Sequence, residues 1–317
     1  MFVDSKLFIY RAISPLHCGA AEGSSGIDLP VARERTTGHP IIPASSLKGV
    51  WRDYCKSIWS KEGKGEEVEI AFGPDPEAGD ASKKRFYAGC LGFTDAQILF
   101  LPVRASSGTF AIITCPLQVR RYIEFRRLSG LTNEKDADME LQGLAENTFS
   151  PLSGDHPFSG NGALIFLEDE ELEINTVATD EWITGLLSGS GIPERLRKRR
   201  ALVSDEVFRW FCRNGLEVVA HNILKEGKQS DNLWYEEVVP SDSIFFSLVL
   251  TSPPHQSGEN RTNDNGKYLG NLANTKIPFF QVGGHETTGR GLMEVTPLNN
   301  KKTTDKTGSK EEEADDK

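Results

Sequence analysis

Apolar and polar positions along this chain fall into patterns that separate strands from helices. Leu7 to Ile13 is a run of apolar and aromatic residues and predicts a first strand. Gly19 to Pro43 is polar and glycine-rich, and a loop of that length inside a compact domain usually carries function. From Ser45 to Trp59 the apolar residues Leu47, Val50, Trp51, Tyr54 and Ile58 recur at spacings of three and four, which predicts an amphipathic helix. Ser45 or Ser46 is placed to cap it. Gly92 to Leu101 and Thr109 to Cys115 predict strands, Leu117 to Leu128 an arginine-rich helix and Ala163 to Leu167 another strand. Short helices are expected at Asp180 to Leu187 and Asp205 to Cys212.

The C-terminal half is richer in β-branched and aromatic residues. Glu217 to Leu224, Leu233 to Val239 and Ser243 to Thr251 predict strands. Ile277 to Val282 and Leu292 to Val295 flank the glycine-rich stretch Gly283 to Gly291. Hairpin-like neighbours outnumber βαβ units, so the expected class is an α+β sandwich with a mainly antiparallel sheet. One domain over residues 1–296 is expected, with polar insertions near 61–87 and 129–161 and a charged, disordered tail over 297–317.

The 317 residues carry a net charge of -10, which argues against a protein that coats nucleic acid unaided. The charge is uneven, however. Five carboxylates crowd the tail from Glu311 to Asp316, and basic residues cluster at Lys83 to Arg85, Arg120 to Arg127 and Arg195 to Arg200. A locally basic groove on an acidic protein is therefore compatible with the sequence. The five cysteines include no pair at CxxC spacing, which fits reduced thiols and speaks against a zinc site. No signal peptide and no bilayer-spanning apolar run are read, so a cytoplasmic protein without membrane contact is expected.

Three stretches concentrate the chemistry. Gly26-Ile27-Asp28-Leu29-Pro30-Val31-Ala32-Arg33-Glu34 is followed by Ile42-Pro43-Ala44-Ser45-Ser46-Leu47-Lys48-Gly49, and Val282-Gly283-Gly284-His285-Glu286-Thr287-Thr288-Gly289-Arg290-Gly291 lies near the end. With Phe93-Thr94-Asp95-Ala96, Val203-Ser204-Asp205-Glu206 and Leu233-Trp234-Tyr235-Glu236-Glu237, the chain resembles the RAMP superfamily from about residue 7 to 296. Within it, the likeness is to the backbone subunit of type III-B CRISPR effectors, the Cmr complexes. The resemblance implies a ferredoxin-like fold related to RNA-recognition domains. It also implies copies stacked in a filament on a guide RNA beside other effector subunits, and cleavage of target RNA at regular intervals with a divalent metal, Mg²⁺ or Mn²⁺. A hairpin that wedges into the guide–target duplex is part of the family picture, and residues 61–87 and 129–161 are the candidates for it.

RNA is cut when its own 2′-hydroxyl attacks the adjacent phosphate, and a carboxylate can take that proton or hold a metal. By itself, an Asp before Leu-Pro more often forms a turn; the resemblance makes Asp28 the catalytic and metal-binding candidate. His17 is a candidate acid or base, or a strand-end histidine satisfied by the backbone. Glu236 and Glu237 are neighbours on a strand, so they face opposite sides, and one of them is expected to assist Asp28. The family's tyrosine after this acidic pair is Val238 here, leaving Tyr235 as the substitute.

For RNA binding the candidates are Ser45, Ser46, Lys48 and Arg52 on one helix, and Gly283, Gly284 and Arg290 in the glycine-rich stretch. That stretch matches neither a P-loop nor GxGxxG. A rival trio of serine-hydrolase patterns, SxxK at Ser45 to Lys48, SDN at Ser230 to Asn232 and KTG at Lys306 to Gly308, fails because the KTG sits in the charged tail. A purely structural RNA-binding subunit shares every motif except the need for Asp28.

Overall fold

The computed structural model describes residues 1–20, 26–74, 87–131, 145–159, 164–175, 192–254, 266–277 and 279–299. The expected helix at Asp180 to Leu187, the charged tail from 300 onward and parts of both predicted insertions lie outside the described residues.

The first strand, β1 (Asp4–Ala12), organises the domain. Its side chains alternate between two cores, as a pleated strand requires. Phe8 and Tyr10 face one, Leu7 and Ile9 the other, and all four are buried. On its flanks β1 pairs antiparallel with β12 (Ile244–Thr251) and β14 (Leu292–Pro297). Helix α1 (Ala44–Lys61) covers the first core through Leu47, Trp51, Cys55 and Trp59. Trp51 meets Phe8 edge-on at 5.6 Å between ring centroids. Helix α3 (Pro116–Leu128) covers the second core, with Tyr122 edge-on to Phe246 at 5.3 Å.

Outward from β12 the sheet continues through β4 (Ala96–Arg104), β5 (Phe110–Thr114), β9 (Arg200–Val203), β6 (Thr148–Pro151), β8 (Glu170–Ile174) and β7 (Leu164–Leu167). Beyond β14 lies β13 (Phe280–Gln281); β2 (Ile41–Ile42) pairs with β4 and β3 (Leu91–Phe93) with β12. Only the β5–β9 and β6–β8 contacts are parallel among the described strands. The class is therefore the expected α+β with a mainly antiparallel sheet.

Several local expectations change. The helix is not capped by Ser45 or Ser46: Pro43 occupies the cap, and the Asp95 carboxylate accepts from the Ala44 amide at 2.7 Å. Much of 61–74 is not a polar insertion but helix α2 (Gly65–Phe72), which buries Val68, Ala71 and Phe72. The 129–161 stretch likewise contributes β6, buried along its length. Helix α4 (Glu194–Arg197) precedes β9, and α5 (Asp205–Asn214) is capped by the Ser204 hydroxyl, which accepts from the Val207 amide. Helix α6 (Lys267–Asn274) had no predicted counterpart.

Among the described residues, a freestanding hairpin lies outside both stretches expected as insertions. It is β10 (Glu217–Leu224) paired with β11 (Ser230–Val238), a two-stranded unit apart from the main sheet. Val218, Ile223, Leu224, Leu233 and Tyr235 are exposed on it. No helix of the described residues is long and apolar enough to cross a membrane.

Candidate active site

The base of β11 is the spine of the site. The loop carrying Asp28 runs alongside it: the Leu29 amide donates to the Tyr235 carbonyl at 3.1 Å, and the Glu237 amide to the Leu29 carbonyl at 3.0 Å. This makes a short parallel bridge between Leu29 and Glu236. The Asp28 side chain closes the arrangement, its Oδ2 accepting from the Tyr235 amide at 2.8 Å. Asp28 is exposed, and Oδ2 is the oxygen that this bond engages. The turn reading and the catalytic reading thus coexist, since one oxygen orders the loop and the other is left for chemistry.

Alternation along β11 sends the two glutamates apart. Glu237 accepts from the Val31 amide at 3.0 Å and forms a salt bridge with Arg33. Arg33 also donates to the carbonyls of Gly38 and Cys212. Glu237 is therefore the clamp that fixes the far end of the Asp28 loop.

Glu236, fully buried, faces three imidazoles and a guanidinium. Its Oε2 lies 2.7 Å from His221 Nε2, 3.2 Å from His285 Nε2 and 3.1 Å from Arg290 Nη1, and its Oε1 lies 3.3 Å from His17 Nδ1. These are ion-pair distances; neither carboxylate oxygen receives an aligned hydrogen bond from the described residues. A buried carboxylate is tolerated only when its charge is compensated, and Arg290 supplies a permanent cation for it. His17 Nδ1–H donates to the Glu237 carbonyl at 2.8 Å, which fixes its tautomer. The rings are packed as well: Trp234 on His221 at 5.2 Å, His221 on His285 at 5.4 Å, and His285 edge-on to His17 at 6.2 Å.

Glycines make this convergence feasible. Gly283, at φ +85°, has no room for a Cβ because the His17 carbonyl oxygen occupies that space. The Gly284 amide donates to the same carbonyl at 2.9 Å, and the Gly291 amide to Pro15 at 2.9 Å. The close backbone approach expected for phosphate at Gly283 is thus made to the protein's own His17. Arg290 is likewise committed to Glu236 and only 15% exposed, not a free phosphate clamp.

On α1, Ser45 is exposed and Ser46, Lys48 and Arg52 are partly covered. Burial, with Arg52 nearby, lowers the Lys48 ammonium pKa from its ordinary value. Asp95 already occupies the helix end considered for phosphate. The arginines of α3 are engaged too: Arg121 with Glu34 at 2.7 Å and Arg120 with Asp205 at 3.7 Å. The structure therefore gathers His17, Asp28, Glu236, Glu237, Gly283, Gly284 and Arg290 around β11, while Ser45, Ser46, Lys48 and Arg52 lie apart on α1.

Sequence reasoning missed His221, His285 and Trp234. Trp234 and Glu236 share a strand face, and His221 pairs with Trp234 across the hairpin. The register was the missing signal.

The model of the RAMP superfamily matches residues 9–294. The CRISPR system Cmr endoribonuclease Cmr4 of Pyrococcus furiosus is 32% identical over 291 residues, covering 90% of this chain and 92% of the relative. The CRISPR system CMR subunit Cmr4 of Saccharolobus solfataricus is 26% identical, covering 93% and 96%. The crystal structure of oligomeric Cmr4 from Pyrococcus furiosus superposes with a TM-score of 0.67 at 27% identity, covering 93% of this chain and 98% of that one. The chain belongs to the RAMP superfamily and, within it, to the Cmr4 family.

Proposed function

We propose that this protein is the RNA-binding backbone subunit of a type III-B CRISPR effector and cuts target RNA endonucleolytically. The carrying observation is Asp28: an exposed carboxylate, oriented by the Tyr235 amide one residue from the buried Glu236 cluster, in a chain of the Cmr4 family. Its free oxygen takes the proton from a 2′-hydroxyl, which then attacks the neighbouring phosphate. Glu236 holds the imidazoles in place, and Glu237 with Arg33 fixes the loop.

The partners in this reading are guide RNA, target RNA, further copies of the chain in a filament and other effector subunits, in the cytoplasm. A relative has been crystallised as an oligomer, which supports the filament. Base pairing supplies sequence specificity, while the protein reads backbone and shape. The apolar tips Ile223, Leu224 and Leu233 suit the freestanding hairpin to the role of duplex wedge.

Mg²⁺ or Mn²⁺ belongs to the reading as its cofactor. The protein's donors alone do not fit such an ion: among the described residues no three His, Cys, Asp or Glu side chains are grouped to hold a metal. Asp28 offers one carboxylate, whereas these ions take about six oxygens. The oxygens beyond Asp28 would come from RNA and water.

The test is an effector assembled with guide RNA and either wild-type protein or Asp28→Asn. Loss of target cleavage with guide binding intact is expected. Wild-type complexes that bind target with Mg²⁺ present and never cut it would instead mark a non-catalytic binding subunit.

A further inference from the structure

Cleavage by a 2′-hydroxyl requires two proton transfers, one from the nucleophile and one to the departing 5′-oxygen. Asp28 accounts for the first. We propose that His285 performs the second, as the general acid that protonates the leaving oxygen; this rests on the nuclease reading above.

Three imidazoles surround Glu236, and their surroundings differ. His17 is 7% exposed, and its Nδ1–H is spent on the Glu237 carbonyl. Its other nitrogen faces Gly19, where even a Cβ would come within 2.9 Å. His221 sits on the hairpin, stacked against both Trp234 and His285. His221 likewise has its Nε2 at Glu236 and a partly exposed side chain, 25% against 29%, but its ring is stacked on two others, which leaves His285 the more open of the two. His285 Nε2 faces Glu236, its Nδ1 has no partner among the described residues, and its side chain is 29% exposed.

The backbone at His285 is equally particular. It is held at φ 62°, a left-handed conformation that a non-glycine side chain rarely adopts. The Thr288 hydroxyl and the Arg290 amide both donate to its carbonyl, at 2.9 Å and 3.2 Å, and keep it there. Strain of this kind clusters at working sites, because the surrounding structure must override it.

A carboxylate behind the anchored nitrogen stabilises the imidazolium, as in other carboxylate–imidazole pairs. Arg290 shares the same oxygen at 3.1 Å, so the carboxylate is divided between guanidinium and imidazole. The groups facing His285 are thus Glu236, Arg290, His17 and His221.

The 2′-oxygen gives its proton to Asp28 and forms a bond to phosphorus. The bond from phosphorus to the 5′-oxygen breaks, and that oxygen takes the Nδ1 proton of His285. The products are a 2′,3′-cyclic phosphate and a 5′-hydroxyl, and water restores both side chains.

The experiment uses the full chain assembled with guide RNA and two targets. One is natural RNA; the other carries a bridging 5′-sulfur at the scission position, whose thiolate leaves without an acid. His285→Ala is expected to cut natural RNA about 100-fold or more slowly, and the sulfur RNA at close to the wild-type rate. His17→Ala and His221→Ala are expected to show no such rescue. Natural RNA cut by His285→Ala within a few-fold of wild type overturns the proposal. So does an equal loss on both RNAs, the mark of a merely structural role, or rescue of His221→Ala in its place. Asp28→Asn, which lacks the base, stays inactive on both targets; if it cuts natural RNA normally, the nuclease reading itself falls, independently of His285.

Discussion

Asp28 Oδ2 accepts a hydrogen bond from the Tyr235 amide, 2.8 Å away and one residue before the buried Glu236. Whatever shifts the base of the hairpin therefore shifts the loop carboxylate and the imidazole cluster together. The bond also separates two substitutions. Asn at position 28 retains an acceptor oxygen, so its stability should stay within about 0.5 kcal/mol of wild type. Ala leaves the Tyr235 amide without its partner and should lose about 1 kcal/mol. Urea unfolding of the two variants measures this; equal losses would show that the bond contributes nothing to the loop.

Glu237 and Arg33 form the second tie between β11 and the Asp28 loop. Glu237 is 3% exposed, and Arg33 serves it while also bonding the Gly38 and Cys212 carbonyls. Removing one partner of a buried pair strands the other charge, so Glu237→Ala should destabilise by about 3–5 kcal/mol. Arg33→Lys should not rescue the contacts, because an ammonium lacks the guanidinium's planar fork. Denaturant midpoints decide this, and a loss under 1 kcal/mol for Glu237→Ala would refute the clamp.

The glycine pair before His285 offers an internal control. A Cβ at Gly283 meets the His17 carbonyl oxygen and sits at φ +85°, whereas at Gly284 the nearest heavy atom is His17 Cδ2 at 3.7 Å. Gly283→Ala should therefore cost at least about 1–2 kcal/mol from the left-handed conformation alone and displace His17. Gly284→Ala should be nearly neutral. Thermal melts of both variants, with cleavage assays alongside, test the contrast; similar behaviour of the two would contradict the packing described.

What the sequence made legible was local or motif-borne. The spacing of Leu47, Trp51 and Tyr54 placed α1, and the β-branched runs placed the hairpin strands and β12. The facing of Glu236 and Glu237 to opposite sides followed from strand alternation and is what the contacts show. Helix α2 was hidden because a glutamate-rich stretch buries only Val68, Ala71 and Phe72. The cluster around Glu236 was illegible for a different reason: His17, His221 and His285 are distant in sequence, and only tertiary pairing brings them to one carboxylate.

A stability profile against pH should expose a histidine outside the cluster around Glu236. His39 is 3% exposed, and burial, with Arg121 adding repulsion, pushes its imidazole pKa down from 6.5 to about 4. The ring is neutral in the native state, with its Nδ1 against Gln118 Nε2, while the unfolded chain binds a proton more readily. Stability is therefore complete above the unfolded value of 6.5 and falls as pH drops from there toward 4, where the folded protein also protonates. At 1.36 kcal/mol per unit, the loss across that window is about 3 kcal/mol. Glu34 adds to the loss further down. Burial opposes its ionisation, but hydrogen bonds from Arg121 and Thr37 and the charges of Arg121 and His39 outweigh that and hold its carboxyl below 4.5. Its contribution is present above 4.5 and disappears as pH falls through the folded value. Unfolding free energies of wild type and His39→Gln, measured at intervals from pH 7 to below 4, separate the two groups. The variant should lose the slope between 6.5 and 4 and keep the fall that Glu34 contributes below 4.5, whereas an unchanged slope in the upper window would place the titration on another residue.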